Sequence, residues 1–154
     1  MKPLKLTPLI PTEAQEQSAV IDWWSRYAPA HGLDERLLIA SANGAVLAGD
    51  AKHRAIQMAR LKRSGLRVGI PDLFLAVQND LFAGLWIELK RIGGKATPEQ
   101  VEMADTLRRQ GYCAILAEGA SEAIRAITAY LGSTQPRRYG QSEPTQALPG
   151  HFVR

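Results

Sequence analysis

Cysteine is almost missing from this chain: Cys113 is the only one among 154 residues. A single thiol excludes an intramolecular disulfide. With three scattered histidines it offers no zinc-ligand spacing either. A reducing cytoplasm is the natural setting for such a chain. Long apolar runs are missing as well, and none approaches the roughly 20 residues of a membrane span. Met1 to Pro11 contains two lysines but no apolar core, so it is not read as a secretory signal. Internal repeats are absent. Net charge is a modest +4, hydrophobic content 45% and charged content 22%. These are the values of one ordinary globular domain, large enough to bury a full core.

The positive charge is unevenly placed. Between Asp50 and Val68 lie Lys52, Arg54, Arg60, Lys62, Arg63 and Arg67 against Asp50 alone, a local +5 that leaves −1 for the rest of a +4 chain. A charge run by itself is most often a solvated helix face. A compact basic patch on a near-neutral body is also the footprint of contact with a phosphate backbone.

Local signals predict the elements in order. Thr12 and Gln15 form a capping-box pattern opening a helix to about Ala28, stopped by Pro29 and Gly32. Arg36 to Ala42 reads as a strand ended by the turn pair Asn43-Gly44, and Asp50 to Ser64 as a basic helix closed by Gly65. Leu73–Val77 and Leu85–Lys90 read as strands joined across the polar turn Gln78-Asn79-Asp80. Thr97 caps a third helix, with Pro98 at its first position and Val101, Ala104 and Leu107 on its inner face. Tyr112 to Ala117 is nearly all apolar, as for a buried central strand. Ser121 caps a last helix with Ile124, Ile127 and Leu131 inward. From Gly132 the composition turns to proline and polar residues without periodicity, the pattern of a flexible tail. The hairpin is antiparallel, while the strand–helix–strand step from Lys90 to Tyr112 requires a parallel crossover. An α/β domain results, a small mixed sheet flanked by helices over residues 12–131, with an extension at 1–11 and a tail at 132–154.

The chemistry concentrates in Gly69-Ile70-Pro71-Asp72-Leu73 and Ile87-Glu88-Leu89-Lys90. On a strand, Glu88 and Lys90 share a face while Leu89 takes the other. Asp72 opens the preceding strand, so pairing of the two brings it within reach of Glu88. Two carboxylates suit Mg²⁺, which keeps several waters and takes few protein ligands. A lysine beside them can neutralise a phosphate and orient a water. Either motif alone is common, as a Pro-Asp turn or an exposed Glu-x-Lys pair. Together, with a hairpin between them, they are much more specific.

Gly-x-Pro-Asp-Leu, Trp-Ile-Glu-Leu-Lys, Gly-Lys-x-Thr-x-x-Gln, and a helix ending in glycine before an apolar strand together resemble the VRR-NUC domain. This is the virus-type replication-repair branch of the PD-(D/E)xK nucleases. The resemblance runs from about Thr12 to Leu131 and includes Asn43-Gly44 and the Ala59–Gly69 approach. It implies a restriction-endonuclease-like core and Mg²⁺- or Mn²⁺-dependent cleavage of DNA. By position it makes Asp72 and Glu88 metal ligands, with the Leu89 backbone carbonyl as a third, and Lys90 the catalytic lysine. Gln100 matches the family's helix glutamine, although Thr97 and Gln100 also form a capping box. The family's first-helix glutamate corresponds to Glu13, which stands four residues before Gln17, with Glu16 as the alternative. Either also suits the positive end of the helix dipole. Lys95 is a DNA contact in this reading, beside Lys52, Arg54, Arg60, Lys62, Arg63 and Arg67 of the basic segment. The resemblance further implies a homodimer acting on branched or flap-like DNA in a bacterial or phage-infected cell. A nucleic-acid-binding module that has lost the chemistry is the competing reading.

Other signals are weaker. Gly93-Gly94-Lys95-Ala96-Thr97 lacks the early glycine and the hydroxyl of a P-loop. Trp23 and Trp24 point about 100° apart on a helix, so one is expected in the core and the other at the surface. His53, within the basic segment, is read as a surface residue.

Overall fold

The computed structural model describes residues 10–41 and 50–132. The Asn43-Gly44 turn, the chain before Ile10 and the chain after Gly132 lie outside the described residues. Helix α1 spans Glu13–Ala30. Its capping box is complete, with Thr12 N–H donating to Gln15 Oε1 at 2.9 Å and Gln15 N–H to Thr12 Oγ1 at 3.3 Å. Val20, Trp24 and Ala28, spaced by four, form its buried stripe. Of the two adjacent tryptophans, Trp24 is the core residue, and its indole N–H donates to the Glu35 carbonyl at 2.8 Å. Trp23 is half-buried and stacks on Tyr27 at 4.5 Å between ring centroids. Pro29 falls in the last turn, where its missing N–H costs one helical bond, so the helix continues two residues past the expected end.

Strands β1 (Leu38–Ala40), β2 (Leu73–Leu75), β3 (Leu85–Lys90) and β4 (Cys113–Glu118) form a sheet in sequence order. The first two pairings are antiparallel and β3–β4 is parallel. Helix α2 (Ala51–Arg63) lies between β1 and β2, α3 (Pro98–Arg109) between β3 and β4, and α4 (Gly119–Gly132) follows β4. Asn79 makes the β2–β3 turn, its side-chain carbonyl accepting from the N–H groups of Leu81 at 2.9 Å and Phe82 at 2.8 Å. One face of the sheet, through Leu73, Leu75, Leu85, Ile87 and Leu89, packs on α1 and α4 to make the core. Glu88 and Lys90 therefore project from the opposite face.

Four expectations need correction. The first strand begins at Leu38 rather than Arg36, because Asp34 caps a short 3-10 turn over Glu35–Leu37. Strand β4 is an edge of the described sheet rather than its centre. Its apolar character is matched by cover from α4 and α3. Val101 on α3 is 51% exposed, so it does not line an inner face. Helix α4 starts at Gly119 without a cap from Ser121, and its buried stripe is Ala120, Ala123, Ile127 and Tyr130.

Candidate active site

The register explains how Asp72 reaches the site. Leu73 pairs with Ile87, so continuing the antiparallel ladder would set Pro71 opposite Leu89. Proline has no N–H to give, and the ladder stops. The Asp72 side chain occupies the vacated place, its Oδ2 accepting from Leu89 N–H at 2.8 Å. A strand residue presents its N–H and C=O to the same side. The Leu89 carbonyl thus faces Asp72, with no proline N–H to satisfy it. Pro-Asp here is a strand terminator that exchanges one backbone partner for a carboxylate.

Glu88 and Lys90 share the face above this point and are buried at 6% and 8% exposure. Lys90 Nζ donates to Glu88 Oε1 at 2.5 Å, and Gln100 Nε2 donates to the same oxygen at 2.5 Å. Both donors therefore crowd one oxygen, while the buried Glu88 Oε2 receives no hydrogen-bond donor among the described residues. Gln100 also accepts from Thr97 N–H through Oε1 at 2.8 Å. Capping and contact with the acid coexist in one side chain.

The two α1 glutamates part company. Glu13 Oε1 stands 4.0 Å from Lys90 Nζ and lines the cleft. Glu16 turns to α4, where its Oε2 accepts from Ala120 N–H at 2.7 Å. Angle around a helix axis could not separate them, because the distinction comes from what packs beside each.

Burial dominates the electrostatics. It pushes the Asp72 carboxyl above its ordinary range despite the Leu89 N–H and the Lys90 charge. Burial also pushes Glu88 up, with Asp72 and Glu13 adding repulsion against the pull of Lys90. Burial opposes the Lys90 charge, yet its hydrogen bond to Glu88 and the surrounding carboxylates outweigh it and hold the ammonium above its usual range. Two acids raised chiefly by burial beside a lysine held up by them are the pattern of a functional cleft.

These groups open into a cleft of about 550 Å³, whose lining includes Glu13, Asp72, Glu88, Lys90 and Gln100. Of the basic segment, Lys62 and Arg67 reach this cleft, together with Met58 and Leu66. Lys52, Arg54, Arg60 and Arg63 lie on exposed α2 positions outside the lining, and Lys95 is exposed in the loop before α3. His53 is exposed and pairs with Asp50 at 2.9 Å. The donor set of two carboxylates and a backbone carbonyl is all oxygen, the kind hard divalent cations take. Among the described residues no three His, Cys, Asp or Glu side chains gather as a full cage. One role escaped the sequence. Gly69 holds φ +81°, and a Cβ there would stand 2.4 Å from the Glu99 carbonyl oxygen. Only glycine lets the chain entering Asp72 lie flat against the start of α3. The sole signal in the sequence was the glycine of the motif itself.

A mixed four-stranded sheet with helices on both faces, Asp72 just before β2 and Glu88 within β3, makes this an α/β domain with a paired-acid cleft. The family model described as the VRR-NUC domain matches residues 11–121, well over half the chain, and the protein belongs to that family. A solved structure described as "VRR_NUC domain protein" superposes with a TM-score of 0.65 at 27% identity, over 80% of this chain and 91% of that one. No curated protein matches the chain in sequence.

Proposed function

We propose that this protein is a divalent-metal-dependent endonuclease that hydrolyses DNA phosphodiester bonds, with Mg²⁺ or Mn²⁺ as its cofactor. The observation that carries this reading is Glu88: both of its donors bind Oε1, and among the described residues no donor reaches its buried Oε2, while Asp72 stands against the same carboxyl. Asp72, Glu88 and the Leu89 carbonyl would hold the cation, with Glu13 at the edge of the set. When bound, the cation stabilises charge on the reacting phosphate and yields a hydroxide at neutral pH. Lys90, buried to its ammonium, donates to a phosphate oxygen or the attacking water, and its fixed position avoids reorganisation during the reaction. Gln100 keeps Glu88 turned so that Oε2 stays free. Lys62 and Arg67 supply the rim that takes the flanking backbone phosphates.

Phosphate contacts position a duplex without reading its sequence. A basic rim around one cleft therefore favours no particular sequence, and branched, junction or flap DNA is the substrate proposed with it. A homodimer would set two such clefts to nick opposite strands of a junction. The reading is tested with labelled hairpin, flap, four-way-junction and linear DNAs in Mg²⁺ or Mn²⁺, with product ends mapped. Metal-dependent products that favour the branched substrates are expected. Salt-dependent binding without products would mark instead a binding module that has lost the chemistry.

A further inference from the structure

The loop after Lys90 is built against that lysine. Gly94 N–H bonds to the Arg91 carbonyl at 2.8 Å, closing a turn in which Gly93 holds φ +80°. A positive φ at the third residue is what a type II turn requires, and glycine meets it without strain. The turn folds Gly94 onto Lys90. A Cβ on Gly94 would lie 2.9 Å from the Arg91 carbonyl oxygen, 3.1 Å from Lys90 Cβ and 3.4 Å from Lys90 Cδ. The bare backbone of Gly94 thus forms a wall along the lysine stem. The turn is tied down by Glu118, the residue in register with Lys90 on β4, whose Oε2 accepts from Gly93 N–H at 3.2 Å. Glu118 itself does not line the cleft, and nothing in the proposed reaction uses it.

We infer that Glu118 and Gly94 are positioning residues that act through Lys90, holding the Arg91–Gly94 turn against its stem so that Nζ has one direction available. The inference rests on the nuclease reading for its consequence but not for its geometry. The chemistry needs a lysine with a fixed ammonium, and displacement of a catalytic group by about 1 Å can cost on the order of a hundredfold in rate. Glu118 contributes an acceptor oxygen to the turn, so a glutamine amide oxygen can take its place. Gly94 contributes the absence of a side chain, so no other residue can.

The test compares Glu118→Ala, Glu118→Gln and Gly94→Ala in the full chain by two readouts. The first is the rate at which Lys90 is acetylated by an amine-reactive reagent, mapped by mass spectrometry against the exposed lysines. This readout does not depend on nuclease activity. In the wild type the buried Lys90 is expected to label slowly. Glu118→Ala and Gly94→Ala are expected to raise its rate at least about tenfold, while Glu118→Gln stays near wild type. The second is cleavage of a four-way junction in Mg²⁺, where the same two variants lower kcat about tenfold with KM unchanged and the glutamine restores it. Unchanged Lys90 labelling in Glu118→Ala and Gly94→Ala overturns the inference whatever the cleavage assay shows. Equal losses in the alanine and glutamine variants at position 118 overturn it too. If labelling responds as expected while the wild type cleaves nothing, the positioning stands and the nuclease reading fails.

Discussion

Gln100 Nε2 lies 2.5 Å from Glu88 Oε1 while its own Oε1 accepts from Thr97 N–H at 2.8 Å. One amide spans the gap between the start of α3 and a buried acid of the cleft, using its donor on one side and its acceptor on the other. A glutamate at this position could cap but could not donate, which separates the two roles by experiment.

Gln100→Ala loses both contacts. It is expected to cost about 1 kcal/mol of stability through the cap and to slow DNA cleavage through a misaligned Glu88. Gln100→Glu keeps the acceptor for Thr97 N–H and places a second carboxylate against Glu88. Its thermal midpoint should exceed that of the alanine variant at acidic pH, where protonation relieves the repulsion from Glu88, while its cleavage rate is no better. Thermal unfolding and single-turnover cleavage on the same preparations check both halves.

Asp72 is held above its ordinary value of 3.8 mainly by burial. A carboxyl whose folded pKa is raised contributes stability that is full below the unfolded value and lost as pH rises through the folded value. At pH 7 in the absence of metal, ionised Asp72 therefore weighs against the fold. Asp72→Asn, whose amide oxygen can still accept from Leu89 N–H, should unfold at a higher temperature than the wild type in chelator at pH 7. The difference should shrink as pH falls toward 4. Mg²⁺ at about a hundred times its dissociation constant should stabilise the wild type by about 2.7 kcal/mol and leave Asp72→Asn unmoved. A wild type and variant with the same pH profile and the same response to Mg²⁺ would contradict this.

Tyr130 tests the core independently of the site. Its hydroxyl donates to the Val77 carbonyl at 2.7 Å, and burial pushes its pKa up to about 12. The protonated phenol is the form the fold accepts. Its contribution is full below the ordinary value of 10.0 and is lost as pH rises from there through about 12. Tyr130→Phe is expected to cost about 1 kcal/mol at pH 7 and to flatten the alkaline decline of stability between those values. Denaturant unfolding at a series of pH values measures it.

Lys62 and Arg67 line the cleft, whereas Lys52 sits outside its lining on α2. Lys62→Ala and Arg67→Ala should each weaken DNA binding alike across sequences and lower the slope of log K against log salt by about 1. Lys52→Ala should raise KM less than either. Binding titrations from low to moderate salt would show equal slopes for all three variants if the rim were spread evenly along the helix.

Much of this was legible because it is local. Thr12 with Gln15, and Thr97 with Pro98 and Gln100, opened α1 and α3 where their side chains said they would, since a cap is decided within four residues. Glu88 and Lys90 share a face because strand periodicity alone requires it. What failed depends on neighbours distant in sequence. The apolar run of β4 looked the same whether strands or helices covered it, and Val101 held the right helical spacing with nothing packed above it. Glu13 and Glu16 could be told apart only once Lys90 and the Ala120 N–H had taken their places. The fit of Gly69 against the Glu99 carbonyl was likewise invisible before α3 was set beside it.

Asp72, Glu88 and Lys90 are proposed to form one metal-dependent hydrolytic centre. It is tested most directly by single-turnover cleavage of a labelled four-way junction in Mg²⁺ by the wild type, Asp72→Ala and Lys90→Ala, with thermal unfolding showing each variant folded. A loss of about a hundredfold or more is expected in each variant, with junction binding retained within severalfold. Cleavage at the wild-type rate by a folded Lys90→Ala or Asp72→Ala protein would contradict it.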